Sequence, residues 1–226
     1  MTATPHDAVG IDGYPGGWVA ARRLDGHLTW ATAPVEGIGT LCPLDAVTGI
    51  DMPIGLLDRG LRECDALARR ALPGAESRIL TTPPRAVLAL GPHAANPDAQ
   101  RLSRELSAQG FSRQALALGP RILALEALTR LHPDRVVIEV HPELSFAALA
   151  GRVLDPKKRA AGVGQRMAAL QAWLPDVAQI VGRAPTDVPI DDALDALAAL
   201  WSATRWRDGT ARTLPEGASQ APFIAI

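Results

Sequence analysis

The stretch "IDDALDALAALWSATRW", residues 190 to 206, constrains the fold more than any other part of the chain. Ala and Leu cover nearly the whole circumference of the helix it encodes. Such a helix cannot lie on a surface and has to be enclosed by a sheet and other helices. Yet it opens with Asp191, Asp192 and Asp195. At about 100° per residue these acids share one sector roughly 100° wide, with Leu194, Leu197 and Trp201 on the opposite stripe. Ala199, Ser202 and Trp206 continue the acidic face, and they are not a typical solvated surface. Asp191 reads as the helix N-cap, and acids in a first turn favour the helix dipole by about 0.3–1 kcal/mol each. Capping does not need three of them, because like charges three or four residues apart repel. A divalent cation would turn that repulsion into ligation.

The same anomaly recurs on strands. "AVGIDGYPGGWVAARRL" reads as a strand, a Gly-rich turn and a second strand, and "HLTWATAP" as a third, giving a three-stranded meander. "AVTGIDMPIG" and "DRVVIEVHPE" are two further apolar strands. Asp12, Asp51 and Glu139 stand at or near the ends of apolar strands, where a lone buried acid is costly. Asp12 has two open readings: an Asx-type turn with its own backbone, or a ligand. Gly16 and Gly17 let the following backbone approach a phosphate or another strand, but the turn lacks the Lys-Ser/Thr ending of a Walker loop.

Helical spacing marks "LRECDALARRAL", with Leu61, Cys64, Ala68 and Leu72 on one stripe, and "PRILALEALTRLH", with Pro120 in its first turn. "ELSFAALAG" is a short helix stopped by Gly151, and "GVGQRMAALQAWL" another. Residues 73–113 hold most of the Pro, Gly, Ser and Asn and read as a long insertion with one helix near Asp98 to Gln109; the tail from Gly209 reads as irregular. Three strands, a helix, a strand, helices, a strand and more helices make a mixed α/β order. An antiparallel start followed by parallel crossovers fits an RNase H-like sheet. The 226 residues suit one domain, 1–226.

Strand ends in an α/β sheet converge on a crevice, so acids from four segments are expected to meet there. Oxygen ligands suit Mg²⁺ or Mn²⁺, which assist in-line phosphodiester hydrolysis. The formal net charge of −1 excludes a whole-protein field for nucleic acid. Local cations remain: Lys157 and Lys158 in a basic loop, Arg85 in "TTPPRAV", and Arg62, all expected to hold substrate phosphates. His6, His27, His93, His132 and His141 show no zinc spacing. His141, between two acids in "EVHPE", is either a substrate-side base or a hydrogen-bonded strand-end residue. Cys42 and Cys64 form no CxxC, no apolar run reaches about 18 residues, and the N-terminus has no basic and apolar leader. A cytoplasmic protein with no membrane partner is the expectation. The oligomeric state stays open, a homodimer included.

The motifs "GIDGYPGGWVAA", "IDMPIGL", "RECDALAR", "TTPPRAVL", "GFSRQALALGPRI", "IEVHPELSFAALAG", "KKRAAGVGQR" and "DDALDALAALW" occur here in order. From Val9 onward the chain resembles the family of predicted RNase H-like nucleases, whose domain carries a "domain of unknown function" label. The resemblance implies an RNase H-like fold. "DALDALAAL" is similar to the closing motif of RuvC-type resolvases, which implies Asp192 and Asp195 as metal ligands. Asp12 matches the first-strand aspartate and Asp51 the fourth-strand acid, while Glu139 and Glu143 belong to the family's own "EVHPE". Its Ser-x-Gln and Lys-Gly elements stand at Ser112, Gln114, Lys158 and Gly162, as substrate contacts. The expectation is therefore a metal-dependent nuclease or phosphodiesterase. Asp12, Asp51, Glu139, Asp192 and Asp195 are its catalytic acids, Mg²⁺ or Mn²⁺ its cofactor, and a nucleic acid or nucleotide its substrate. Two rivals are an actin-like nucleotide-binding or kinase-type protein and a non-catalytic binding module that keeps the acids for stability.

Overall fold

The computed structural model describes residues 7–91 and 97–226. His6, His93 and a short part of the expected insertion lie outside them. Strands β1 (Asp7–Tyr14), β2 (Gly17–Leu24) and β3 (His27–Ala33) form the antiparallel meander, and β4 (Ala46–Ile50) and β5 (Val136–Glu139) run parallel to β1. The sheet order is β3-β2-β1-β4-β5, so the mixed five-stranded sheet expected from the strand order is present. A 3-10 helix over Val35–Leu41 carries the chain from β3 to β4.

The helices are α1 (Glu63–Arg70), α2 (Arg85–Leu88), α3 (Pro97–Ser107), α4 (Arg113–Ala117), α5 (Gly119–Leu131), α6 (Pro142–Ala150), α7 (Ala160–Gln171), α8 (Val177–Val181) and α9 (Ile190–Arg207). On one side of the sheet Ala8, Val19, Val47 and Ile138 pack against Leu194, Leu197 and Leu200 of α9, with Phe146 and Leu170 outside them. On the other side Val9, Ile11, Ala20 and Ile50 pack against Ile38, Leu41 and the α5 residues Ile122 and Leu125. The three α9 leucines are fully buried, each contributing about 1.5–3 kcal/mol of transfer free energy. This is the enclosure that their all-round apolar pattern requires.

Two glycines set how closely α9 lies on the sheet. Gly10 and Gly49 are register partners on β1 and β4. A Cβ on Gly10 would overlap the Leu200 nitrogen and the Ala196 carbonyl oxygen, and one on Gly49 would sit 2.7 Å from the Ala199 carbonyl oxygen. Helix backbone therefore rests directly on strand backbone.

Several local expectations are corrected. Leu61 precedes α1 and is 45% exposed, because the helix begins only at Glu63; Cys64, Ala68 and Leu72 are buried as the stripe requires. Residues 73–113 hold α2 and α4's first residue as well as α3, and Gly60 N–H donating to the Leu106 carbonyl ties the segment to the main body. Ser112 caps α4 by accepting the Ala115 N–H at 3.1 Å. The tail is not wholly irregular. Strands β6 (Thr213–Leu214) and β7 (Ile224–Ala225) pair antiparallel, Ala225 bridges Val140 next to β5, and Phe223 stacks on Trp206 at 5.1 Å. Pairs so short carry no readable alternation. Among the described residues no helix is long and apolar enough to cross a membrane.

Candidate metal centre

Alternation along the strands decides which acids meet. Asp12 lies two residues beyond Gly10 and Asp51 two beyond Gly49, so both share the face that α9 covers. The close approach of α9 brings Asp195 down onto the same spot. One carboxylate oxygen from each of Asp12, Asp51 and Asp195 lies within 4.8 Å of the others. Asp12 and Asp195 are buried and Asp51 is partly buried. The Asp51 amide donates to the Ile11 carbonyl at 3.0 Å, which extends the β1–β4 ladder to the acid itself.

This crowding shows in the protonation equilibria. Burial raises the Asp12 carboxyl well above its usual range, and the charges of Asp51 and Asp195 raise it further. Burial pushes Asp51 and Asp195 up to about 7, against the opposing pull of Lys157. Lys157 Nζ lies 2.6 Å from Asp195 Oδ2 and 3.9 Å from both Asp191 Oδ2 and Asp192 Oδ1. Burial works against the ammonium charge, but Asp195 and Asp12 outweigh it and raise the Lys157 pKa. Asp195 Oδ1 is buried with no hydrogen-bond partner. A buried carboxylate oxygen with no partner among the described residues, on one of three acids crowded within 4.8 Å, is a strong demand for a cation.

Around the three acids opens a cleft of about 520 Å³, also lined by Arg78, Arg121, Lys157, Lys158 and His141. A family model described as "Protein of unknown function (DUF429)" matches residues 10–220 and spans all three acids. The chain belongs to this family. Comparison with curated proteins and with solved structures returned no significant match.

The other residues singled out in this family member's sequence take varied places. Asp192 is half-buried on the cleft wall, raised by burial and by Asp191, and it is outside the triad of ligand atoms. Asp191 is not the N-cap: Pro189 holds that position and makes no side-chain capping bond, and Asp191 sits in the first turn. Glu139 also lines the cleft, but it is register partner of Ile50, whose side chain belongs to the core opposite α9, so alternation turns it away from the triad. Both its oxygens are engaged, Oε1 by Arg62 at 2.5 Å and Oε2 by the Ile54 N–H at 2.7 Å. Glu139 thus fixes the loop that follows Asp51.

Arg62 does not line the cleft. It is 2% exposed, and its guanidinium is spent on Glu139 and on Asp65 at 3.1 Å. Arg85 is also off the cleft lining, paired with Glu126 and Asp58. Gly16 and Gly17 form the β1–β2 turn away from the cleft; a Cβ on Gly17 would overlap the Ala33 carbonyl oxygen, so this glycine serves strand approach. His141 lines the cleft, with its Nδ1 buried and unpartnered and its pKa lowered by burial.

Lys157 and Lys158 are held at the cleft by a device with no local sequence signal. Arg166, fully buried in α7, donates to the Asp155 carbonyl at 2.7 Å and to Glu143 Oε1 at 2.5 Å. A Cβ on Gly162 would overlap the Pro156 carbonyl oxygen, so that glycine lets the lysine loop press against α7. The sequence reading missed Arg78, which pairs with Glu143 Oε2 at 2.7 Å, and Arg121, whose Nη2 donates to the Tyr14 carbonyl at 2.7 Å.

Proposed function

We propose that this protein is a metal-dependent phosphodiesterase of the nuclease type, acting on a nucleic acid or nucleotide, with Mg²⁺ or Mn²⁺ held by Asp12, Asp51 and Asp195. The observation that carries this reading is that one carboxylate oxygen each of Asp12 on β1, Asp51 just beyond β4 and Asp195 on α9 lie within 4.8 Å of one another, while Asp195 Oδ1 has no partner among the described residues. Hard oxygen donors in that number fit these ions. The strand order β3-β2-β1-β4-β5 supports an RNase H-like reading of the sheet, in which acids gather at this end.

A bound ion would supply the positive charge that stabilises a phosphodiester as it is attacked in line. The chain's own residues do the rest. Asp12, Asp51 and Asp195 would hold the ion as carboxylates. Lys157, 2.6 Å from Asp195, would face a phosphate oxygen of the substrate. Lys158 and Arg121 offer further cations beside Asp192. Asp192, half-buried on the same wall, accepts hydrogen bonds from substrate or from water at the cleft mouth.

The rival with an observation in its favour is a non-catalytic site in which Lys157 is the permanent counter-ion, since its 2.6 Å contact already neutralises part of the cluster. A manganese-dependent cleavage screen over DNA, RNA, branched and mononucleotide diesters, with Asp12→Asn as control, separates the two. Cleavage by the wild type alone supports the diesterase. Equal activity in both proteins, or none with any metal, favours the rival.

A further inference from the structure

Three of the buried polar atoms without a partner belong to residues of one cleft: Asp195 Oδ1, His141 Nδ1 and Arg121 Nε. Buried polar groups are nearly always satisfied, and three such atoms on the residues lining one cleft mark it as a place where a ligand could add partners. The cleft draws its lining from several further segments. Ile79 and Leu80 come from the segment before α2, Gln114 and Leu118 from α4 and its end, and Lys158 from the loop before α7. The first of these segments is anchored, not loose: the Thr82 N–H donates to Asp65 Oδ2 at 2.7 Å, and Arg78 donates to Glu143 and to the Leu154 carbonyl.

A polymer reader looks different. Single-strand binders line an open groove with aromatic rings and a continuous track of cations. Among the described residues no Phe, Tyr or Trp lines this cleft, and its acids outnumber its cations. A volume of about 520 Å³ belongs to small-ligand sites. The acids of the triad sit at the sheet end, with Lys157 already paired to Asp195. Among the described residues neither Lys158 nor Arg121 pairs with a carboxylate, and both act electrostatically on Asp192. Met52, Ile79, Leu80 and Leu118 supply apolar surface in the same cleft.

We propose that the cleft takes one nucleotide-sized phosphoester, with its phosphate between the aspartates and the pair Lys158 and Arg121, and its flat base against the apolar lining of Leu118, Ile79 and Leu80. Gln114, exposed at the rim, reads polar edges of that base. The phosphate assignment rests on the diesterase reading; the limit on size rests on the cleft alone.

The probes are thymidine 3′,5′-bisphosphate, which holds no diester to cleave, a long oligothymidylate and a DNA duplex. Each is titrated calorimetrically with and without Mn²⁺, on wild type, Lys158→Ala and Gln114→Ala. The expected result is saturable binding of the bisphosphate, weakened roughly tenfold in Lys158→Ala through loss of a charge-assisted contact. The strand should bind no tighter than the bisphosphate, and the duplex not at all. Binding of the bisphosphate that is indifferent to Mn²⁺ would support the small-ligand cleft while overturning the metal reading. Mn²⁺-dependent cleavage of the long strand, with no binding of the bisphosphate, would do the reverse. Tenfold tighter binding of strand or duplex with a steep salt dependence overturns the size limit, as does bisphosphate binding unchanged in both variants.

Discussion

Gly10 on β1 and Leu200 on α9 meet backbone to backbone, so closely that any side chain on Gly10 would overlap the Leu200 nitrogen. The geometry of the aspartate triad depends on this contact, because it sets the height of Asp195 above Asp12. Gly10→Ala should cost at least about 3 kcal/mol, since the neighbour is helix backbone and cannot rotate away. Urea unfolding measures it. A loss under about 1 kcal/mol would mean that α9 can lift, and that the triad is not rigidly built.

Without metal, the acids should make stability fall as pH rises. Asp51 and Asp195 have folded pKa values pushed up to about 7, above the unfolded value of about 3.9. Between these limits the folded state holds more protons than the unfolded one, so raising the pH lowers the free energy of unfolding. The contribution is intact below about pH 4 and lost by the time pH passes about 7. Asp195→Asn should flatten that slope. Thermal melts in chelator from pH 4.5 to pH 8 test it, and an unaltered slope in the variant would refute the assignment.

Arg62 is a structural cation. Arg62→Ala leaves Glu139 and Asp65 buried without their partner and should cost about 3–5 kcal/mol. Glu139→Gln should cost less, because an amide can still accept the Ile54 N–H. Metal-induced stabilisation should survive in Glu139→Gln, whose side chain is not part of the triad. Its disappearance would move Glu139 into the metal site.

Lys157→Met removes the cation nearest Asp195. In chelator at pH 8 the variant should melt several degrees below the wild type, as the acids lose their counter-charge. Saturating Mn²⁺ should restore most of the difference by mass action. A deficit that metal leaves untouched would show that Lys157 packs rather than compensates.

Much of this site could be read from the chain. Asp12 and Asp51 were legible because an acid ending an apolar strand is costly wherever it is buried. The need to enclose α9 followed from its composition. The choice among acids was less accessible. Glu139 looks like Asp51 in sequence, and only the pairing of Glu139 with Ile50 turns it to the other face. Asp195 and Asp192 differ in how far along α9 they sit relative to Gly10, which needs the helix docked. One signal was present but unused: β1 and β4 both read Gly-Ile-Asp, at 10–12 and 49–51, placing glycine and acid on the same face of each strand. Asp65, three residues on, is a local partner of Arg62, but Glu139, like the Glu126 that holds Arg85, lies far away in the chain and gives no local signal.

The most direct test of the account is a calorimetric titration of Mn²⁺ into the wild type and Asp195→Asn at pH 8, above the value of about 7 to which Asp51 and Asp195 are pushed. The account predicts saturable binding by the wild type with proton release that grows as the pH is lowered toward 7, and binding at least tenfold weaker in the variant. Equal Mn²⁺ affinity in the two proteins, or no binding by a folded wild type, would contradict it.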